Sequence, residues 1–170
     1  MSGDVWTGIG LVLLFILIGG LFAGTELALV SLRESQLARL EKRGRAGAKV
    51  AEVARNPNRF LAAVQIGVTV AGFFSAAYGA SALAPMLSPT LETWGMSASA
   101  AAATATVSLT LVIAYLSLVF GELVPKRLAL QRAEGIAVAV TPALDVFATL
   151  MRPVIWLLSV STNGVVRLLG

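Results

Sequence analysis

The sequence predicts an all-α membrane protein with three transmembrane helices, a cytoplasmic helix pair and juxtamembrane helices. Three observations carry this. Hydrophobic residues make up 57% of the 170 positions and charged residues only 13%, where a soluble domain ordinarily carries about a quarter charged residues. Three apolar runs are each long enough for the roughly 20 residues that cross hydrocarbon. Eight of the thirteen Lys and Arg residues fall between Arg33 and Arg59, at the end of the first run, and such clusters stay on the cytoplasmic side.

The first span is expected over about 5–32, with Glu26 as its only internal charge. A signal peptide is not expected, because Asp4 makes the start acidic and no small-residue cleavage site closes a short apolar core. The helix pair is expected over 33–57, with Leu37 and Leu40 on one face, a turn at Gly44 and Gly47, and an end at Asn56-Pro57, since proline disfavours helix at the residue before it. The second span covers about 59–87, with Pro85 and Pro89 at its far end. The loop that follows holds Glu92 and Trp94 but no Lys or Arg, so it faces outward. The third span covers about 98–121, and Lys126, Arg127 and Arg132 return the chain to the cytoplasm. These crossings place the amino terminus outside and the carboxyl end inside.

Residues 136–170 read two ways. They are apolar enough for a fourth span. Against it stand Asp145, Pro142, Pro153, Arg167 and Arg152, which a straight crossing would place near mid-membrane at about 2.5–3.5 kcal/mol or more. Kinked helices along the inner membrane surface, over about 123–170, are the preferred expectation. Gly20 and Gly24, and Ala71, Ser75 and Gly79, recur at the four-residue spacing that lets helices approach closely in lipid.

The chain has no Cys and no His. Disulfides, thiolate sites and His-based triads are therefore excluded, and any bound metal must be held by oxygen, which favours hard cations such as Mg2+. The basic balance lies beside a membrane span, which argues against nucleic acid as a partner. No nucleophile–base set and no phosphate loop is visible, so an enzyme is not expected.

Two carboxylates are out of place in apolar surroundings, and an ionisable group there is a functional candidate by default. Glu26 lies inside the first run. Glu122 ends the third, between Gly121 and Pro125, which can together break the helix and free carbonyl oxygens at an ion site. Equally, Glu122 can pair with Lys126 four residues on, at an ordinary helix end. Thr25 lies roughly 12 Å along the helix from Arg33, and Thr69 roughly 15 Å from Arg59, at 1.5 Å per residue. The two hydroxyls thus reach similar depth, where Glu122 could join them in an all-oxygen site; each can also bond back to its own helix. Gln65, one turn from Thr69, and Ser75 can line the same cavity or bond across helices.

Several segments resemble one family in order: Phe22-Ala23-Gly24-Thr25-Glu26-Leu27-Ala28-Leu29-Val30-Ser31, then Asn56-Pro57-Asn58-Arg59-Phe60-Leu61-Ala62 with Gln65-Ile66-Gly67-Val68-Thr69, then Phe120-Gly121-Glu122-Leu123-Val124-Pro125-Lys126. The chain is identified by these as a member of the CorC/CNNM (hemolysin C-like) magnesium transporters. The resemblance implies a homodimer in the inner (plasma) membrane, three spans per subunit with a belt of juxtamembrane helices, and Mg2+ transport, with Na+-coupled export proposed for some members. It implies Thr25, Gly67, Thr69, Gly121 and Glu122 as metal-site residues, with Glu26, Gln65, Pro125 and Lys126 in the surrounding layer. Ser is common where Thr25 stands, and some members carry paired Asn residues where this chain has Gly67-Val68-Thr69. Family members normally continue into a pair of ATP-binding cytoplasmic CBS modules, so the chain is expected to be the membrane part of a longer protein. The competing expectations are carriage of another cation, or a membrane scaffold or sensor that transports nothing.

Overall fold

The structure is a computed structural model that describes residues 2–169, with side chains described from residue 5. It is all-helical, and no strand occurs among the described residues. In chain order the helices are α1 (Ser2–Ser31), α2 (Glu34–Glu41), α3 (Arg45–Arg55), α4 (Asn58–Thr93), α5 (Ala98–Leu118), a π turn (Val119–Leu123), α6 (Val124–Gln131), α7 (Ala133–Leu150) and α8 (Arg152–Leu169). The chain divides into two compact units, Met1–Ala23 with Gly67–Arg127, and Gly24–Ile66 with Leu128–Gly170.

Among the described residues, four segments are long and apolar enough to cross a membrane: Val5–Ser31, Asn58–Thr93, Ala98–Gln131 and Ala133–Leu150. The sequence expectation was three. The fourth is α7, which qualifies by length and hydropathy and carries Pro142 within it. The chain does not run on as one straight helix from there. It breaks at Met151 (φ −81, ψ 3), and Arg152 opens α8 at an exposed position.

Two further differences have local causes. Pro85 and Pro89 lie inside α4, which continues to Thr93 instead of ending near 87. Each proline removes one backbone donor and crowds the carbonyl four residues back, and both side chains are exposed. Gly44 takes the turn with φ 112, as its lack of a Cβ permits. Gly47, expected in that turn, lies within α3. A Cβ there would stand 2.0 Å from the Leu40 carbonyl oxygen, so Gly47 sets how closely α2 and α3 approach.

In the first unit, Val12, Ile16 and Ile113 form one buried cluster with Tyr78 and Leu116 against it, and Ala84, Leu91, Ala101 and Ala105 form another. Phe15 stacks on Phe74 with centroids 5.5 Å apart. The buried Ser75 hydroxyl donates to the Val12 carbonyl at 3.5 Å, a long bond from α4 to α1. Small residues and few polar bonds are what helix packing in lipid uses.

The second unit pairs an apolar seam with ion pairs around it. Leu37, Leu40, Val50, Ala51 and Val53 close the inner faces of α2 and α3. Arg55 bridges Glu34 at 2.7 Å and Glu41 at 3.1 Å. Glu134 of α7 accepts from Gln36 at 3.0 Å, pairs with Arg39, and lies 3.8 Å from Arg43. Three turns further along α7, Asp145 meets Lys49 at 3.4 Å, and Thr149 accepts from Arg59 at 2.7 Å.

Candidate functional site

The third apolar run does not break at Gly121-Glu122. It widens there into a single π turn, Val119–Leu123, in which the Val124 N–H donates to the Val119 carbonyl five residues back. The local sequence gives the reason. Pro125 has no N–H to continue the α ladder, and a π turn is one way a helix absorbs such a mismatch; these turns recur at functional sites. The turn is also pressed from the side. A Cβ on Gly20 would lie 2.9 Å from the Phe120 carbonyl oxygen and 2.9 Å from the Pro125 ring, and one on Gly121 would lie 3.2 Å from the Ile16 carbonyl oxygen. Two glycines, one on each helix, therefore let α1 and the π turn meet backbone to backbone. Gly20 was legible in the sequence as a packing residue, and its partner is the Phe120–Pro125 segment.

Beside this contact lies a cavity of about 450 Å³. Phe15, Ile16 and Gly19 of α1, Val68, Thr69, Gly72, Phe73 and Ala76 of α4, and Ala114, Ser117, Leu118, Gly121 and Glu122 of the third segment line it. All of these belong to the first unit. The walls are mostly apolar. Polar side chains enter from three positions only: the Glu122 carboxylate and the hydroxyls of Thr69 and Ser117.

Glu122 is half-exposed and bonds Lys126 at 2.7 Å, four residues on in the same helix. Glu122 lines a cavity beside the π turn and carries the intrahelical partner expected four residues on, while the helix break expected at Gly121 is replaced by the π turn. Lys126 thus places a cation on the carboxylate.

The expected site residues separate accordingly. Thr69, Gly121 and Glu122 are brought to one cavity. Gly67 is buried but does not line it. The Phe22 ring lies over Gly67, so close that a Cβ there would stand 2.6 Å from it. Pro125 packs on Gly20. Thr25, Glu26 and Gln65 belong to the second unit. There Thr25 is 0% exposed, Glu26 is partly buried and Gln65 is exposed. No group of three or more His, Cys, Asp or Glu residues suited to a metal occurs among the described residues. A cation here would rely on one carboxylate with hydroxyl and carbonyl oxygens, a donor set that fits a hard ion. Ser117 is the lining residue that sequence reasoning passed over.

Comparison with known proteins follows the same segments. The family described as the Cyclin M transmembrane N-terminal domain matches residues 9–170. UPF0053 protein sll0260 of Synechocystis is 42% identical over 99% of this chain and 38% of its own length. UPF0053 protein YrkA of Bacillus subtilis is 31% identical over 92% of this chain and 36% of its own. A protein of Haemophilus influenzae named polyamine export protein is 26% identical over 90% of this chain and 35% of its own. The chain therefore spans a little over a third of the length of these relatives.

Proposed function

The chain belongs to the Cyclin M transmembrane N-terminal domain family, and from that premise we propose that it carries a cation across the bilayer through the cavity lined by Glu122. The observation that carries this reading is the π turn, which sets the Glu122 carboxylate against a cavity whose walls are mostly apolar. An ionisable group in a membrane segment is a functional candidate by default. Mg2+ is the preferred cargo, since every available donor is oxygen and Mg2+ takes oxygen in near-octahedral geometry. Na+ is the proposed coupling ion, and export the proposed direction. The domain works as a carrier and not as an enzyme.

The topology that goes with this has three spans in the inner (plasma) membrane, the amino terminus outside and the carboxyl end in the cytoplasm. Two observations favour it over four. Glu134 and Asp145, eleven residues apart on α7, both bond basic groups of the polar α2–α3 pair. A helix fastened along its length to charged helices lies at the membrane surface with them. In α8 no residue is buried, and its apolar side chains stand exposed on a helix that also holds Arg152 and Arg167, as a helix lying in the interface requires. A homodimer is proposed as the working unit. Control by ATP would come through cytoplasmic CBS modules of the longer protein.

A second reading has its own support. The chamber is large for a bare ion and its walls are mostly apolar, which suits the methylene chain of an organic amine with its ammonium on Glu122. The polyamine export name of the Haemophilus relative points the same way for that protein.

Calorimetric titration of the purified chain with MgCl2 and, separately, with a linear diamine tests both. Saturable Mg2+ binding that is lost in Glu122→Gln is the expected result. Diamine binding in its place would move the cargo to the second reading. Binding of either probe that survives Glu122→Gln would place the site elsewhere.

A further inference from the structure

Hydroxyls on these helices have a usual resting place. Thr106 donates to the Ala102 carbonyl at 2.9 Å, Thr149 to Asp145 at 2.8 Å, Ser159 to Ile155 at 2.8 Å and Ser161 to Leu157 at 2.9 Å. Each reaches four residues back along its own helix, which is the ordinary way for Ser and Thr to satisfy themselves away from water. Ser117 does not. Its Oγ is shielded from solvent and has no hydrogen-bond partner. Of the two such hydroxyls among the described residues, Ser117 and Thr141, only Ser117 lines the cavity beside Glu122. It stands four residues before Gly121, so one helical turn separates them on the same face.

A buried hydroxyl without a partner is destabilising, and native structures keep such groups chiefly where another species satisfies them. The apolar neighbours in this cavity supply no acceptor or donor for it. We propose that the Ser117 hydroxyl oxygen is a ligand of the carried cation, one turn along the helix from Gly121 and Glu122, so that the site extends along α5 beyond the π turn. A neutral oxygen at that position replaces part of the ion's hydration as it leaves the carboxylate. This keeps the cation coordinated over a stretch of the chamber that is otherwise lined by Phe, Ile, Leu and Ala side chains. The inference rests on the cation reading above, and adds to it a ligand that no charge or motif announces.

The test is MgCl2 titration of the full chain, run beside thermal unfolding without added Mg2+, for wild type, Ser117→Ala, Ser117→Thr and Glu122→Gln. In Ser117→Ala, Mg2+ affinity should fall by roughly tenfold or more, the scale on which supporting groups of metal sites act. Its unfolding temperature without Mg2+ should be unchanged or higher, because no protein–protein bond is lost. Ser117→Thr retains a hydroxyl and should restore affinity. Unchanged affinity in Ser117→Ala, with binding abolished in Glu122→Gln, overturns the Ser117 assignment and leaves the Glu122 reading standing. Earlier unfolding of metal-free Ser117→Ala also overturns it, since the hydroxyl would then be serving the fold. Absence of Mg2+ binding to the wild type overturns both readings.

Discussion

Lys126 holds the Glu122 carboxylate at 2.7 Å, and under the proposed function a cation binding Glu122 would compete with that ammonium. Side-chain exposures of 33% and 40% put this pair in the class worth about 0.2–1 kcal/mol. Lys126→Met removes the internal competitor without adding a charge. Titration of that variant should show cation affinity raised by up to about fivefold, the factor equivalent to 1 kcal/mol. Unchanged affinity would mean that the lysine leaves the carboxylate at no cost. At this scale Glu122 was legible in the sequence because a carboxylate flanked by Gly and Pro stands out in an apolar run. Ser117 was not. Serines abound in membrane helices and usually bond back to their own backbone, so only coordinates reveal one that does not. Gly67 was legible as part of a motif, but the Phe22 ring that covers it comes from a distant stretch of chain.

Among the helices, α3 and α7 are joined by a charge that should register in a pH profile. Lys49 is raised above its usual 10.5, first by its hydrogen bond to Glu52, against an opposing effect of burial, and further by Asp145 of α7. A raised lysine stabilises the fold fully at pH values below 10.5 and loses that contribution as pH climbs through its higher folded value. Thermal unfolding of wild type and Lys49→Met should therefore differ near neutral pH and converge in strong alkali. A gap that persists above the folded value would assign the effect to the lost aliphatic stem. Helical character was readable throughout, because hydropathy and charge alternate in long blocks, but residues 136–170 could be read as a span or as surface helices. Element ends were less so. Pro85 and Pro89 suggested a stop, yet α4 runs through both to Thr93, although each costs the helix a donor and a clash with the carbonyl four residues back. Gly121 and Pro125 suggested a break and gave a π turn, because packing against Gly20 keeps the segment helical on both sides.

For the molecule as a whole, the number of crossings decides how everything else is read. The absence of native cysteine makes single-cysteine labelling unambiguous. Ser35→Cys on α2, Ser99→Cys at the start of α5 and Ser161→Cys on α8 all replace exposed serines. With three spans, a membrane-impermeant maleimide applied to intact cells should label position 99 alone, and positions 35 and 161 should react only after the membrane is opened. Labelling of position 161 from outside would establish α7 as a fourth crossing.

The sequence by itself determined that this chain is helical, that it belongs in a membrane, where its charge collects and which carboxylate is out of place. These follow from composition and local order, which require no knowledge of neighbours. The tertiary structure decided that the third segment widens instead of breaking, that Gly20 meets the π turn, that Phe22 covers Gly67 and that Ser117 is left without a partner. Each of these depends on which surfaces of distant segments come together, and close packing admits only arrangements in which every atom on both sides finds room.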